Sequence, residues 1–142
     1  MILLDTNVVS EATRVAPDPR VREWFDRQSA QDLFLCTPVV AELRYGIERL
    51  AVGKKRDLLE RAISELEEQG FRGRILFVDS EAAHEFGRVV TKRERLGRPI
   101  KTMDALIASI ALVHRATLAT RDISDFEQLG LALVNPFAPA PE

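Results

Sequence analysis

The chain nearly lacks cysteine: of 142 residues only Cys36 is one, so no disulfide framework can form within it. That fits a protein of the reducing cytoplasm. Cys36 ends the apolar stretch Leu33-Phe34-Leu35-Cys36, where a thiol is expected to be buried and inert. No apolar run is long enough to span a bilayer, and no charged leader followed by an apolar core is present, so no membrane role is expected. Histidine is scarce as well. His84 and His114 stand alone, with no second nitrogen ligand at metal spacing, which argues against zinc. An excess of basic residues is also missing. A net charge of −2 excludes a broad basic surface, so nucleic-acid binding would need local cationic clusters or metal ions bridging to phosphate.

What remains describes an ordinary globular domain. Hydrophobic residues make up 46% and charged residues 30%, enough of the first to build a core without staples. No linker, repeat or low-complexity stretch interrupts residues 1–137, which read as one domain. Pro136, Pro139 and Pro141 punctuate the end, and residues 138–142 are expected to fray.

Helix and strand signals alternate. Met1-Ile2-Leu3-Leu4 is the first strand, followed by the polar turn Asp5-Thr6-Asn7. Asp18-Pro19 pairs an N-cap with a first-turn proline and opens a helix carrying Val21, Trp24 and Phe25, ending near Ser29. Leu33 to Cys36 is a strand buried on both faces. Thr37-Pro38 repeats the cap-then-proline signal for a helix with Val39, Leu43, Ile47 and Leu50 on one side and Gly53 as its stop. Leu58, Leu59, Ala62, Ile63 and Leu66 mark another helix, closed by Gly70. Ile75 to Val78 is the third strand, and Asp79-Ser80 caps a long helix carrying Phe86, Val89 and Val90, closed by Gly97 and Pro99. Thr102 to His114 is a largely buried helix with Thr102 as N-cap, and Thr117–Thr120 and Leu131–Val134 are the last strands. The order βααβααβααβ(α)β predicts an α/β fold, a central parallel sheet flanked by helices on both faces. Ligands of such sheets gather outside the carboxyl ends of the strands.

Four acids stand out against this frame. Asp5 and Asp122 each follow a strand, and Glu42 and Asp104 sit in otherwise apolar helical stretches. Each has a structural alternative. Asp5 and Asp122 can serve as turn residues or N-caps, as Asp79 does. Glu42 lies at the border of its apolar stripe and can be solvated. A carboxylate in the first turn, such as Asp104, is favoured by the helix dipole. Asp125 is a reserve acid that reads as a cap for Phe126-Glu127-Gln128. Taken together, converging carboxylates are the oxygen-ligand pattern of magnesium or manganese. Two carboxylates about 5 Å apart repel by roughly 3 kcal/mol at an effective dielectric near 20. A cluster therefore needs a divalent cation, raised pKa values or an inserted cationic partner. The basic runs Lys54-Lys55-Arg56 and Lys92-Arg93-Glu94-Arg95 read as solvated helix faces or ends, whereas Arg98 and Lys101 lead directly into Asp104.

These residues carry a family resemblance. Met1 to Glu11, with Leu4-Asp5-Thr6-Asn7 at its heart, resembles the opening of PIN-domain ribonucleases. Pro38 to Ile47, around Glu42, resembles their second acidic element; Thr102-Met103-Asp104-Ala105-Leu106-Ile107-Ala108 resembles the third. Leu118 to Asp122, followed by Asp125-Phe126, resembles the fourth, and Val134-Asn135-Pro136-Phe137 is similar to the FitB-like branch of VapC toxins. The resemblance implies a three-layer PIN-like fold. It implies a Mg2+- or Mn2+-dependent endoribonuclease, the toxin of a toxin–antitoxin pair, with Asp5, Glu42, Asp104 and Asp122 as its catalytic, metal-binding acids. Asp5 and Asp104 are the first candidates for direct ligands. Thr6, Asn7 and Thr120 would orient the carboxylates, and Arg98, Lys101 and Arg121 would contact RNA. It further implies an antitoxin partner that carries the DNA-binding part, and a homodimer.

Two rivals are weighed against it. A haloacid-dehalogenase-like phosphatase also opens on a strand ending in aspartate, but it needs an acid two residues later, where this chain has Asn7. The other is a non-catalytic module whose acidic pocket accepts an antitoxin arginine within a DNA-bound repressor complex.

Overall fold

β1 (Ile2–Leu4) lies at the centre of a five-stranded sheet in the computed structural model of the chain, which describes residues 1–141. It pairs in parallel with β2 (Leu33–Cys36) on one side and β4 (Thr117–Ala119) on the other. β3 (Ile75–Leu76) and β5 (Leu133–Val134) form the edges, each also parallel to its neighbour, giving the order β3-β2-β1-β4-β5. α1 (Thr6–Ala12) and α2 (Pro19–Asp26) lead from β1 to β2, and α3 (Thr37–Glu48) and α4 (Lys54–Glu65) from β2 to β3. α5 (Ser80–Arg95) and α6 (Thr102–His114) precede β4, and the short α7 (Ile123–Phe126) precedes β5. This is the expected α/β succession. Helices cover the sheet so thoroughly that Leu3, Leu4, Leu35 and Leu118 are all but fully enclosed.

The strand order has one consequence for function. From β1 the chain moves outward through β2 to β3, then returns to the other side of β1 to lay down β4 and β5. The direction of winding therefore reverses between β1 and β4, and a crevice opens above their carboxyl ends. Asp5 follows β1 and Thr120-Arg121-Asp122 follows β4, so both acids reach that crevice. The backbone N–H of Asp5 donates to the Ala119 carbonyl at 2.9 Å, extending the ladder to the brink.

Several local signals act as read, and some end sooner. Asp18 caps α2 by accepting from Arg20 N, and Asp79 caps α5 by accepting from Ala82 N. α5 ends at Arg95 and is closed by Gly97 in the left-handed region (φ 70°), where Gly97 N donates to Glu94 O and Arg98 N to Arg93 O. α2, however, ends at Asp26, short of Ser29, its last carbonyls being taken up by N–H groups of Arg27 and Gln28. Gly53 does not stop α3, which ends at Glu48; its extended backbone instead starts α4. Past Glu65 the helical path loosens into a π-type turn, Leu66–Gly70. Lys101, not Thr102, occupies the cap position of α6, and Thr102 already lies inside the helix. β3 holds only Ile75 and Leu76, and Phe77 and Val78 are exposed because the sheet ends there with no further strand to pair.

Residues 138–141 are exposed, and the last residue of the expected tail, Glu142, lies outside the described residues. Among the described residues no helix is long and apolar enough to cross a membrane. Leu118 sits fully buried on β4 beside β1. Leu118→Ala is expected to lower unfolding free energy by about 2–5 kcal/mol. Urea denaturation should show this as a lower midpoint at unchanged slope; a loss below about 1 kcal/mol would mean the β1–β4 seam is not the core of the fold.

Candidate active site

Asp5 sits at the turn from β1 into α1 with an extended backbone (φ −75°, ψ 159°), the geometry of an N-cap. One carboxylate oxygen accepts from Thr6 N at 2.8 Å. The other accepts from the Thr120 hydroxyl at 2.7 Å and from Asn7 Nδ2 at 3.3 Å. Only 5% of Asp5 is exposed. Burial pushes its carboxyl above the usual range; the bonds from Thr120 and Thr6 oppose that, and the nearby charges of Glu42 and Asp122 add to it. Asp5 is thus both a structural cap and a member of the acidic group.

Thr120 and Asn7 tie the acids into one unit. The Thr120 hydroxyl donates to Asp5 and accepts from Asp122 N at 3.0 Å. Asn7 Nδ2 also donates to Asp122 Oδ2 at 3.0 Å, while Asn7 Oδ1 accepts from Arg121 N at 3.2 Å. The Thr6 hydroxyl reaches across to α3 and donates to Glu42 Oε1 at 2.7 Å. Three small polar side chains, each within two residues of an acid in sequence, therefore fix Asp5, Glu42 and Asp122 relative to one another. A hydroxyl or amide this close to a carboxylate holds its orientation without neutralising it.

Asp104 differs from the other three. It lies in the first turn of α6, half-buried, and among the described residues no group donates a hydrogen bond to its carboxylate. Its pKa is raised to about 6, first by burial, then by the charges of Asp5, Asp125 and Glu42; Lys101 pulls the other way. Nothing in the protein compensates the ionised form fully, so this carboxylate is free to bind something else.

All four acids line one open cleft of about 1360 Å³, and Asp125 lines it with them. Asp122 and Asp125 are exposed at the brink, on the loop that begins α7. Lys101 and Arg121 stand on the same rim. The Arg121 guanidinium lies over the Phe137 ring, 4.7 Å from its centroid, so the tail after β5 steadies it. Arg98 points elsewhere: it donates to Ser124 O at 2.9 Å and pairs with Glu127 at 3.3 Å. Cys36, enclosed beneath the acids, has its thiol pushed up to about 12 by burial and stays protonated.

Among the described residues, no three acid, histidine or cysteine side chains are grouped closely enough to form a ready-made metal cage. The donor chemistry nevertheless fits a hard cation. Every candidate is a carboxylate oxygen, and Mg2+ keeps several of its waters while binding through one or two carboxylates. Asp104, without a hydrogen bond and opposite the fixed Asp5, supplies such a pair in kind.

Comparison with known proteins identifies the family. The PIN domain profile matches residues 2–130. The chain belongs to the PIN-domain family. Within it, the chain is 36% identical to the VapC ribonuclease Y4jK of Sinorhizobium fredii, over 99% of this chain and all of that protein. It is 38% identical to toxin FitB of Neisseria gonorrhoeae, over 96% of this chain and 99% of that one. Its fold superposes on a structure of FitAB bound to the IR36 DNA fragment with a TM-score of 0.92 at 36% identity, covering 99% of both chains.

Two residues of this PIN domain were placed differently by the sequence. Asp125 does not cap Phe126 to Gln128, because α7 begins earlier, with Asp122 at its cap position; Asp125 instead faces the cleft and acts on Asp104. Arg93, read as part of a solvated basic run, is 4% exposed. Its spacing from Phe86, Val89 and Val90 puts it on the apolar face of α5, a signal that the charge of the run concealed.

The electrostatics of Asp104 predict a stability effect. With a folded pKa near 6, above the ordinary 3.8, the folded chain holds a proton that the unfolded chain releases between those values. The stabilising contribution of the protonated group is complete below about pH 4 and is lost as pH rises through 6. Asp104→Asn is therefore expected to stabilise the metal-free chain at pH 7.5 by on the order of 1 kcal/mol, discounted for partial exposure, or roughly 3–4 °C. The gain should vanish near pH 4. A melting temperature lowered at pH 7.5 would show instead that the Asp104 carboxylate is structurally required.

Proposed function

We propose that this PIN domain is a Mg2+- or Mn2+-dependent endoribonuclease, the toxin of a toxin–antitoxin pair. The observation that carries this reading is Asp104: a half-buried carboxylate with raised pKa and no hydrogen-bond donor, in a cleft with three hydrogen-bonded acids. Such an arrangement disfavours its own ionised state until a cation arrives. Similarity to a VapC ribonuclease and to toxin FitB supports RNA as the substrate. The FitAB structure supports an antitoxin partner that brings DNA into the complex, and in this reading the toxin acts as a homodimer.

A bound divalent cation supplies Lewis-acid polarisation of a phosphate oxygen and a water of lowered pKa. Asp5 and Asp104 would hold it. Asp5 is fixed for this by Thr6, Asn7 and Thr120, while Asp104 contributes the carboxylate that the fold leaves unpaired. Glu42, which accepts from the Thr6 hydroxyl, and Asp122, which accepts from Asn7, would orient the attacking water and accept its proton. Attack by water leaves a 5′-phosphate and a 3′-hydroxyl. Lys101 and the Phe137-backed Arg121 contact the RNA backbone from the rim. Arg98, held by Ser124 and Glu127, serves the loop in this reading and not the RNA.

The test is cleavage of a mixed RNA pool by the purified chain, with Mn2+ and then with EDTA, mapping the product 5′ ends. Wild type is expected to cut only with metal and to leave 5′-phosphates. Asp104→Asn should lose on the order of a hundredfold or more in rate, since loss of even an outer-shell partner costs about 10–100-fold. Cleavage that persists in EDTA, or in Asp104→Asn, would overturn the reading. No cleavage with any metal would favour the non-catalytic antitoxin-binding module.

A further inference from the structure

Arg93 is a buried cation that pairs with no carboxylate among the described residues. Its side-chain hydrogen bonds, from Nε and Nη1, all go to backbone carbonyls. Nε donates to Arg98 O at 2.7 Å, and Nη1 donates to Asp125 O at 2.6 Å and to Glu127 O at 3.4 Å. The first bond is reciprocal, because Arg98 N donates back to the main-chain carbonyl of Arg93. The side chain therefore joins the end of α5, the turn at Gly97 and the loop after β4.

That loop is the one that presents Asp122 and Asp125 to the cleft. Asn7 and Thr120 hold its start, through the N–H groups of Arg121 and Asp122, and Leu129 is buried at its end, but the stretch between is lightly held. α7 is a single turn, the side chains of Asp122, Ser124, Asp125, Glu127 and Gln128 are exposed, and Gln128 adopts a left-handed backbone (φ 63°). Phe126 plugs it into the core from one side, and Arg98 adds a bond to Ser124 O. Burying a guanidinium is a poor way to gain stability, since an apolar side chain of similar volume does as well or better. A planar fork that captures carbonyls in fixed directions is, however, a good way to set a loop's position.

We infer that Arg93 is a positioning residue for the active site: from behind the loop it sets where Asp122 and Asp125 present their carboxylates to the cleft. The metal-binding half of this inference rests on the nuclease reading above; the loop-setting half does not. Lysine keeps the charge but carries its three donors on one nitrogen, so it does not reproduce bonds made from both Nε and Nη1, and glutamine keeps one or two bonds without the charge.

Arg93→Lys and Arg93→Gln should be compared with wild type by three measurements. The first is amide hydrogen exchange of the metal-free chain. Exchange over residues 122–128 is expected to quicken at least tenfold in both variants while β1 and β4 stay protected. The second is Mn2+ titration by calorimetry, where affinity should weaken by about tenfold or more, as for other supports of metal ligands. The third is RNA cleavage, with kcat lowered and KM nearly unchanged. Unchanged exchange over 122–128 in a folded variant would overturn the inference. So would failure of both variants to fold, which would assign Arg93 to the fold alone. Quickened loop exchange beside a wild-type chain that binds no Mn2+ would instead sink the nuclease reading and leave the loop-setting role standing.

Discussion

Everything at the cleft depends on the parallel pairing of β1 with β4. The ladder runs from Ile2 opposite Thr117 to Leu4 opposite Ala119, and continues one residue further through Asp5 N to Ala119 O. Shifting that register by one residue would turn every side chain to the opposite face. The Thr120 hydroxyl would no longer meet Asp5, and Asp122 would leave the reach of Asn7. The acids are thus held not by attraction for one another, which is absent, but by a backbone ladder buried on both sides. The winding order puts that ladder where the sheet reverses direction, so the buried central seam of the sheet lies directly beneath the acid-lined crevice.

Within this frame the acids divide into two kinds. Asp5, Glu42 and Asp122 each accept at least one hydrogen bond from a neighbouring side chain, and Asp5 also accepts one from Thr6 N. Such donors fix the direction of a carboxylate. Asp104 is given no such support. Burial and neighbouring charge raise the pKa of both Asp5 and Asp104, but only at Asp5 do hydrogen bonds oppose the rise. A site built this way has fixed walls and one responsive member.

Much of this was legible in the chain itself. The strands ending in Asp5 and Asp122 announce themselves as short apolar runs followed by polar turns, and α6 as a long apolar stretch beginning near Asp104. The small residues that bind the acids together, Thr6, Asn7 and Thr120, stand beside them in sequence, so their relevance could be read without coordinates. Other features could not. α7 is one turn long, too short for periodicity, and its early start moved Asp125 from a capping role to the cleft. Arg93 stands in a basic run and Arg98 in the segment leading into Asp104, and only the packing of α5 against its neighbours reveals that both turn toward backbone carbonyls. β3 is shorter than its apolar run, because hydrophobicity marks where a strand can form, whereas pairing ends where the next strand ends.

The cleft gathers side chains from four widely separated segments, beginning with the fifth residue and ending with the loop after β4. During synthesis β1, α1 and α3 leave the ribosome early, but β4 is among the last elements to emerge. Until it does, Asp5 lacks Thr120 and the crevice lacks its second wall. A chain without β4 carries three of the acids and the Thr6 contacts to Asp5 and Glu42, but lacks Thr120 and Asp122. The Asp5–Thr120 contact and the second wall of the crevice therefore form together, once β4 pairs with β1.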